Sequence, residues 1–223
     1  MNIPTESNYI DIHTHSSRDN CFYVRNIFAQ DLPLGLPEGG PFSAGLHPWH
    51  LEEVDIKHSL KILEKAAADP RIIAIGEAGI DRNKNIHYEL QETAFLEQIR
   101  ISEEIKKPLI IHCVKAYSDL LYFRKLKEWT MKWMFHWFNE NLTIANELIE
   151  RDCYLSFGRS LLHPNGKNAE VFKSIPIEKA FLETDDAEVT IEDVYKKAAE
   201  LKGISMEELK IIMNLNFQSL FLK

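Results

Sequence analysis

Six residues are of types that bind divalent cations and share one local context: His13, His15, Glu77, His112, His136 and Asp185. Each stands at or just past the end of a short run rich in apolar and β-branched residues, such as YIDIH, IIAIGE, PLIIHC, KWMFHW and KAFLET. Apolar runs that close on histidine again and again are poorly explained by core packing, because a buried imidazole needs hydrogen-bond partners. The spacing His13-x-His15 adds to this, since residues two apart on a strand project to the same side and can grip one ion. Imidazole nitrogen mixed with carboxylate oxygen suits zinc, manganese, iron or nickel, with magnesium a further candidate, and no cysteine stands at an equivalent strand end to build a thiolate site. Four imidazoles and two carboxylates exceed one tetrahedral shell. The expected centre therefore holds two divalent ions with Glu77 between them and a water as nucleophile, and Asp185 is suited to bind metal and accept that water's proton.

Residues this far apart in sequence meet only on a scaffold that brings strand ends together. Eight runs read as strands: Tyr9 to His13, Cys21 to Phe28, Phe42 to His47, Ile72 to Glu77, Pro108 to Cys113, Lys132 to Trp137, Cys153 to Gly158 and Lys179 to Thr184. Helix-periodic stretches lie between most of them, around Ile56 to Ala68, Tyr88 to Lys106, Ala116 to Glu128, Leu142 to Arg151 and Pro164 to Ser174. Two more follow, Ile191 to Lys202 and Ser205 to Phe221, the second opening with Ser205, Glu207 and Glu208 in capping order. Strand and helix in alternation mark a parallel α/β sheet, and eight strands suffice for a (β/α)8 TIM-type barrel, whose active sites are built at the C-terminal strand ends. The Pro/Gly-rich piece Leu32 to Pro41 reads as a loop without a helix, which predicts an irregular barrel near the second strand.

Length and composition agree with this reading. A chain of 223 residues without a repeat or Gly/Ser linker is expected to form a single barrel domain over residues 1–223. Hydrophobic residues make up 45% of it, yet no apolar run is long enough to span a bilayer. The start MNIPTESNYIDIHTH has neither the basic opening nor the apolar stretch of a secretory signal, so a cytoplasmic location is expected. Cys21, Cys113 and Cys153 lack CxxC spacing and read as packing thiols in a reducing compartment. A formal net charge of −8 without a basic block argues against a DNA-coating protein. It leaves a nuclease open, because bound cations reverse the field of a carboxylate-built site.

Several further residues carry two readings. His47 in GLHPW is a candidate to bind a leaving group or phosphate oxygen, or else HPW shapes a turn. Asp81 either orients a histidine or caps its loop. Trp49, Trp137 and Phe138 line a substrate pocket or pack at its rim and core, whereas His50, His58, His87 and His163 read as solvated.

The segments DIHTH, GLHPW, IGEAGID, QETAFLEQIRISEEIKKPLIIHC, FHWF, YLSFG, LETD and NLNFQSLF resemble, in order and over nearly the whole chain, the TatD-type metal-dependent deoxyribonucleases of the amidohydrolase-like barrels. The resemblance implies a (β/α) barrel, hydrolysis of phosphoester bonds in DNA, and two divalent metals at His13, His15, Glu77, His112, His136 and Asp185, with Glu77 bridging. The expected partner is a DNA or nucleotide phosphoester, with no membrane, for a monomer or weak oligomer. This chain also departs from the family. Its segment between the histidine pair and the HP motif is short. Val114 and Lys115 stand where the family usually has an arginine, which leaves Lys115 as a candidate substrate contact. Past LETD, Asp186-Ala187-Glu188 runs into a helix where the family usually continues with a proline and an Arg/Asn-containing loop. Two other functions use the same ligands: an amidase- or lactonase-type hydrolase that needs no phosphate clamp, and a metal-binding barrel without turnover.

Overall fold

A computed structural model describes residues 3–163 and 166–222. Among these are eight strands, each from the third onward followed by an α-helix: β1 (Ile10–Thr14), β2 (Phe22–Phe28), β3 (Phe42–Gly45), β4 (Ile72–Asp81), β5 (Leu109–Val114), β6 (Trp133–Phe135), β7 (Tyr154–Phe157) and β8 (Ala180–Leu182). The helices are α1 (Ile56–Ala66), α2 (Tyr88–Ile105), α3 (Tyr117–Leu126), α4 (Leu142–Ile149), α5 (Lys167–Ser174), α6 (Ile191–Lys202) and α7 (Met206–Phe221). Parallel strands in chain order with helical crossovers are the TIM-type (β/α)8 fold. As expected, β2 is followed by a 3-10 turn, Ala29–Leu34, and not by an α-helix. The helix expected from Pro164 is described from Lys167, and Pro164 itself lies outside the described residues. No helix among the described residues is long and apolar enough to cross a membrane, and no disulfide joins the three cysteines.

The chain divides into two compact units. The first, Asn26–Met134, holds β3, β4 and β5 side by side in parallel, in registers such as Ala44↔Ile75 and Gly79↔His112. Beyond β5, the Leu109 amide donates to the Lys132 carbonyl at 3.0 Å, next to β6. All ten residues of β4 are buried, as a strand covered on both faces requires. Phe95 of α2 packs edge-on against Trp133, with ring centroids 5.6 Å apart, and α1 turns Leu60 and Leu63 inward behind an Asp55 cap.

The second unit comprises the described residues up to Arg25 and from Phe135 onward. There β7 pairs with β8, β8 leads to β1 through a donation from the Asp185 amide to the His13 carbonyl (3.0 Å), and β1 pairs with β2. The β1–β2 register shifts between Asp11 and Thr14. Tyr195 of α6 ties the buried start of β1, its hydroxyl accepting from the Ile10 amide (3.0 Å) and donating to the Ile10 carbonyl (3.2 Å). Ser205 caps α7 through the Glu208 amide, as its sequence position predicts.

One positional expectation needs correction. Glu77 does not end its strand: β4 runs on to Asp81, so the AGID that follows Glu77 is strand as well. The register of β4 on β5 shifts between Ile75 and Ala78, and such a bulge re-aims a side chain in the middle of a strand. Glycine permits the continuation, because a Cβ at Gly79 would stand 1.9 Å from the His112 carbonyl oxygen.

Candidate metal centres

In the first unit, β4 and β5 bring Glu77 and His112 together, and the turn after β3 adds His47. The carboxylate oxygen Oε1 of Glu77 lies 2.6 Å from His112 Nδ1 and 3.1 Å from His47 Nε2. All three residues are buried, and their ligating atoms lie within 4.8 Å of one another. Outside this trio, Asp81 Oδ2 lies 3.3 Å from His112 Nε2 and also accepts the Trp49 indole N–H at 2.7 Å. Asp81 Oδ1 takes the Asn83 amide at 2.7 Å. Asp81 therefore both orients a histidine and caps its loop. Asn26 anchors the bulge, its Oδ1 accepting from the Glu77 amide (2.8 Å) and the Ser43 hydroxyl (3.0 Å).

The two imidazoles of this group differ in what they can do. His47 Nδ1 accepts the Trp49 amide at 3.1 Å, so a neutral ring carries its proton on Nε2, pointing at Glu77. A protonated nitrogen donates and does not ligate, and His47 thus serves the HPW turn and the site at once, as a donor. His112 has the opposite arrangement. Its Nε2 faces the Asp81 carboxylate, the carboxylate–histidine pairing that fixes tautomer and ring orientation in metal sites, and its Nδ1 faces Glu77. Burial opposes charge on His112, but the Asp81 and Glu77 carboxylates outweigh it and raise its pKa to about 9. Burial likewise resists ionisation of Asp81, and the bonds from His112, Trp49 and Asn83 overcome it, lowering its pKa to about 2. Strong opposing shifts on adjacent buried groups are the pattern of a functional site.

In the second unit, His13 lies on β1, His15 one residue past it, His136 one past β6 and Asp185 three past β8. Asp185 Oδ1 is 3.2 Å from His15 Nε2 and 3.7 Å from His13 Nε2. The ligating atoms of these three residues fall within 4.8 Å. The His13 and His136 rings lie 4.4 Å apart. Asp185 and Trp137 take left-handed backbone, with φ of 53° and 47°, at the turns after β8 and β6. Non-glycine residues pay about 1 kcal/mol or more for that conformation, and such strain gathers at functional turns.

Several participants were not singled out from sequence. Asp11, fully buried on β1, accepts both the amide (2.9 Å) and the hydroxyl (2.5 Å) of Thr184, and burial raises its pKa to about 6. Glu183 accepts the Ser156 hydroxyl at 2.7 Å and the Trp137 amide, and lies 3.9 Å from His136 Nδ1. Burial and then the Asp185 charge push its pKa well above the carboxylate range. Arg18 donates to Thr14 Oγ1 and the Asp185 carbonyl, each at 3.0 Å. For Asp11 and Glu183 the sequence signal is a carboxylate inside an apolar run, in YIDIH and AFLET. Among the other candidates, Lys115 is exposed just past β5 and makes no hydrogen bond with either group among the described residues. Phe138 is core, with 1% of its surface exposed, whereas Trp49 is 43% exposed. His58, His87 and His163 are exposed as expected, and His50 is half-buried against Phe28.

The family model described as TatD related DNase matches residues 37–222. The chain belongs to this family. A relative from Buchnera aphidicola, an uncharacterized metal-dependent hydrolase, is 30% identical over 197 residues, covering 80% of this chain and 73% of its own length. A protein from Citrobacter koseri named 3'-5' ssDNA/RNA exonuclease TatD is 32% identical over 172 residues, covering 72% of this chain and 63% of its own. Among solved structures, the TatD homolog YJJV of Escherichia coli K12 superposes with a TM-score of 0.83 at 20% identity, over 98% of this chain and all of that one, the same (β/α)8 fold. The chain is thus a TatD-type metal-dependent hydrolase, and Glu77 with His112, and His13 with His15 and Asp185, fit divalent cations by donor type and spacing.

Proposed function

We propose that this TatD protein hydrolyses phosphoester bonds in single-stranded nucleic acid or nucleotides, with one divalent ion held by Glu77 and His112 and another by His13, His15 and Asp185, with His136 beside them. The observation that carries the reading is His112, held through Nε2 by Asp81 while Nδ1 meets Glu77 at 2.6 Å. That is a ligand pair prepared from behind, in a member of a family with exonuclease-named relatives. Divalent ions in such sites supply Lewis acidity toward a phosphoryl oxygen and make water a stronger acid. The chain's own groups do the rest. Asp185, 18% exposed at its side chain, is the one of these carboxylates open enough to take a proton from attacking water. His47 offers its Nε2 proton to a phosphate or leaving-group oxygen, and Lys115 offers a charge at the rim.

Val114 and Lys115, in place of an arginine after His112, favour a second reading, an amidase- or lactonase-type hydrolase with the same ions. One experiment separates the two. Protein purified without chelator is assayed for bound metal and for cleavage of a single-stranded oligonucleotide with added magnesium, manganese or zinc, with Asp185→Asn as control. Metal-dependent cleavage lost in the variant supports the phosphoesterase. Stoichiometric metal with turnover only of esters or amides supports the second reading.

A further inference from the structure

Trp49 is the large aromatic side chain left open beside the first group. Its ring centroid lies 5.0 Å from that of His47 and 5.7 Å from that of His112. Although 43% of the residue is exposed, the ring is held in place, because its N–H donates to Asp81 at 2.7 Å. The bland explanation is rim packing, but a tryptophan serving only that purpose gains by burying its ring, and this one keeps nearly half its surface in solvent. Lys84 places its ammonium 4.1 Å from the centroid of the same ring. Arg82, two residues earlier, is already engaged by the Asp119 carboxylate (2.7 and 2.8 Å) and the Tyr88 ring. Among the described residues Lys84 makes only the ring contact, a cation–π interaction weak enough at an exposed site to be exchanged.

We propose that Trp49 and Lys84 form a nucleobase subsite, in which the indole stacks on the base adjoining the scissile phosphate and Lys84 exchanges the ring for a phosphate oxygen. The chemistry is that of single-strand binding in general: an aromatic platform takes any base by its π-face while a neighbouring cation follows the backbone. Anchoring by Asp81 makes the platform rigid, so little ordering is needed when the base arrives. The same carboxylate holds His112, which ties the stacking position to the reacting group through one residue. The subsite rests on the phosphoesterase reading for its substrate, but its binding can be measured without turnover.

The test compares equilibrium binding of deoxyadenosine 5′-monophosphate and of base-free 2-deoxyribose 5-phosphate to the metal-loaded full chain, followed by calorimetry. Wild type should favour the nucleotide by roughly five- to hundredfold, the range expected for one base on one aromatic ring. Trp49→Phe and Trp49→Leu both remove the N–H that Asp81 accepts, so any structural consequence should appear equally in their metal content and unfolding midpoints. Only the leucine variant should lose the nucleotide's advantage, and the phenylalanine variant should keep most of it. Lys84→Met should weaken both ligands alike and leave the advantage intact. The subsite is overturned if wild type shows no preference for the base, or if the leucine variant keeps it. A base preference with no phosphoester cleavage under any metal would instead remove the phosphoesterase reading and leave the subsite standing.

Discussion

The two imidazole–carboxylate groups are built by opposite means. In the first unit Glu77 and His112 are backed by other side chains: Asp81 behind His112, Asn26 under the Glu77 amide, Trp49 on Asp81. In the second, Asp185 and His15 are partly open, with side chains 18% and 27% exposed, and they are placed by backbone. A left-handed turn sets Asp185, and Thr14 and Arg18 hold its carbonyl. A side-chain lattice fixes ligand direction and pKa. A strained, open turn leaves a carboxylate reachable by water. The first group is thus suited to hold an ion and the second to hold one while also moving a proton.

The largest effect should come from truncating the two carboxylates. Glu77→Ala and Asp185→Ala should each lower kcat by roughly a thousandfold or more, since on the proposed reading each removes a ligand and Asp185→Ala also removes the base. Their stabilities should differ. Glu77→Ala leaves two buried imidazoles facing a void and should cost the metal-free protein about 1–3 kcal/mol, whereas Asp185→Ala removes a partly hydrated group and should cost less. Urea midpoints decide this, and equal shifts would end the distinction between a buried lattice and an open turn.

Next come two glycines. At Gly79 a Cβ would meet backbone at 1.9 Å, whereas at Gly158 in the second unit it would meet the Trp137 ring at 2.8 Å and the Glu183 carbonyl at 3.0 Å. A ring can shift and a strand cannot, so Gly79→Ala should destabilise by more than about 3 kcal/mol and Gly158→Ala by about 1–2. Similar losses in a denaturant titration would mean that β4 gives way more easily than its close approach to β5 suggests.

Gly79 also shows where sequence reading stopped short. The alternation of β-rich and helix-periodic runs is a local signal, and α6 begins and ends where that period does, while the Ser205 cap of α7 is visible in the sequence itself. Gly79 falls outside the strand as read from sequence because composition cannot distinguish a glycine needed for a turn from one needed for close strand approach. In the same way KWMFHW reads as one strand, but Trp137 adopts φ of 47° and β6 stops at Phe135. Ligand-type residues at strand ends were legible as a set. The role of His47 was not, since it depends on which ring nitrogen the Trp49 amide reaches. Asp11 and Glu183 stayed hidden because an acidic residue in an apolar run carries no sign of its partners.

A smaller effect concerns the support behind His112. Because its folded pKa is raised to about 9 from 6.5, protonation of His112 stabilises the metal-free protein fully below pH 6.5, and this contribution is lost as pH rises through 9. An ion at Nδ1 competes with that proton, so affinity at this site should climb with pH up to about 9. Asp81→Asn removes the carboxylate behind the ring and should weaken zinc about 10- to 100-fold at pH 9, and less at pH 6.5, where the easier loss of the proton offsets part of the damage. Competition titrations with a chelating dye at the two pH values read the difference. A uniform loss at both would mean that Asp81 does not govern the protonation of His112.

The smallest effect isolates the second unit. Burial raises Asp11 to about 6 from 3.8, so the folded state binds more protons than the unfolded one across that window, and stability must fall as pH rises through it. Most of this loss falls below the pH range in which His112 contributes, so the two units should give a lower and an upper limb of one falling stability–pH curve of metal-free protein. Asp11→Asn keeps an acceptor for the Thr184 amide and removes the titration, so the slope between pH 4 and 6 should flatten while the slope between 6.5 and 9 is unchanged. Glu183 is the competing source, because burial and the Asp185 charge raise its pKa too. If the lower slope survives in Asp11→Asn and disappears in Glu183→Gln, the proton belongs to the carboxyl beside His136, and the buried charge of the second unit lies behind β8, not at the root of β1.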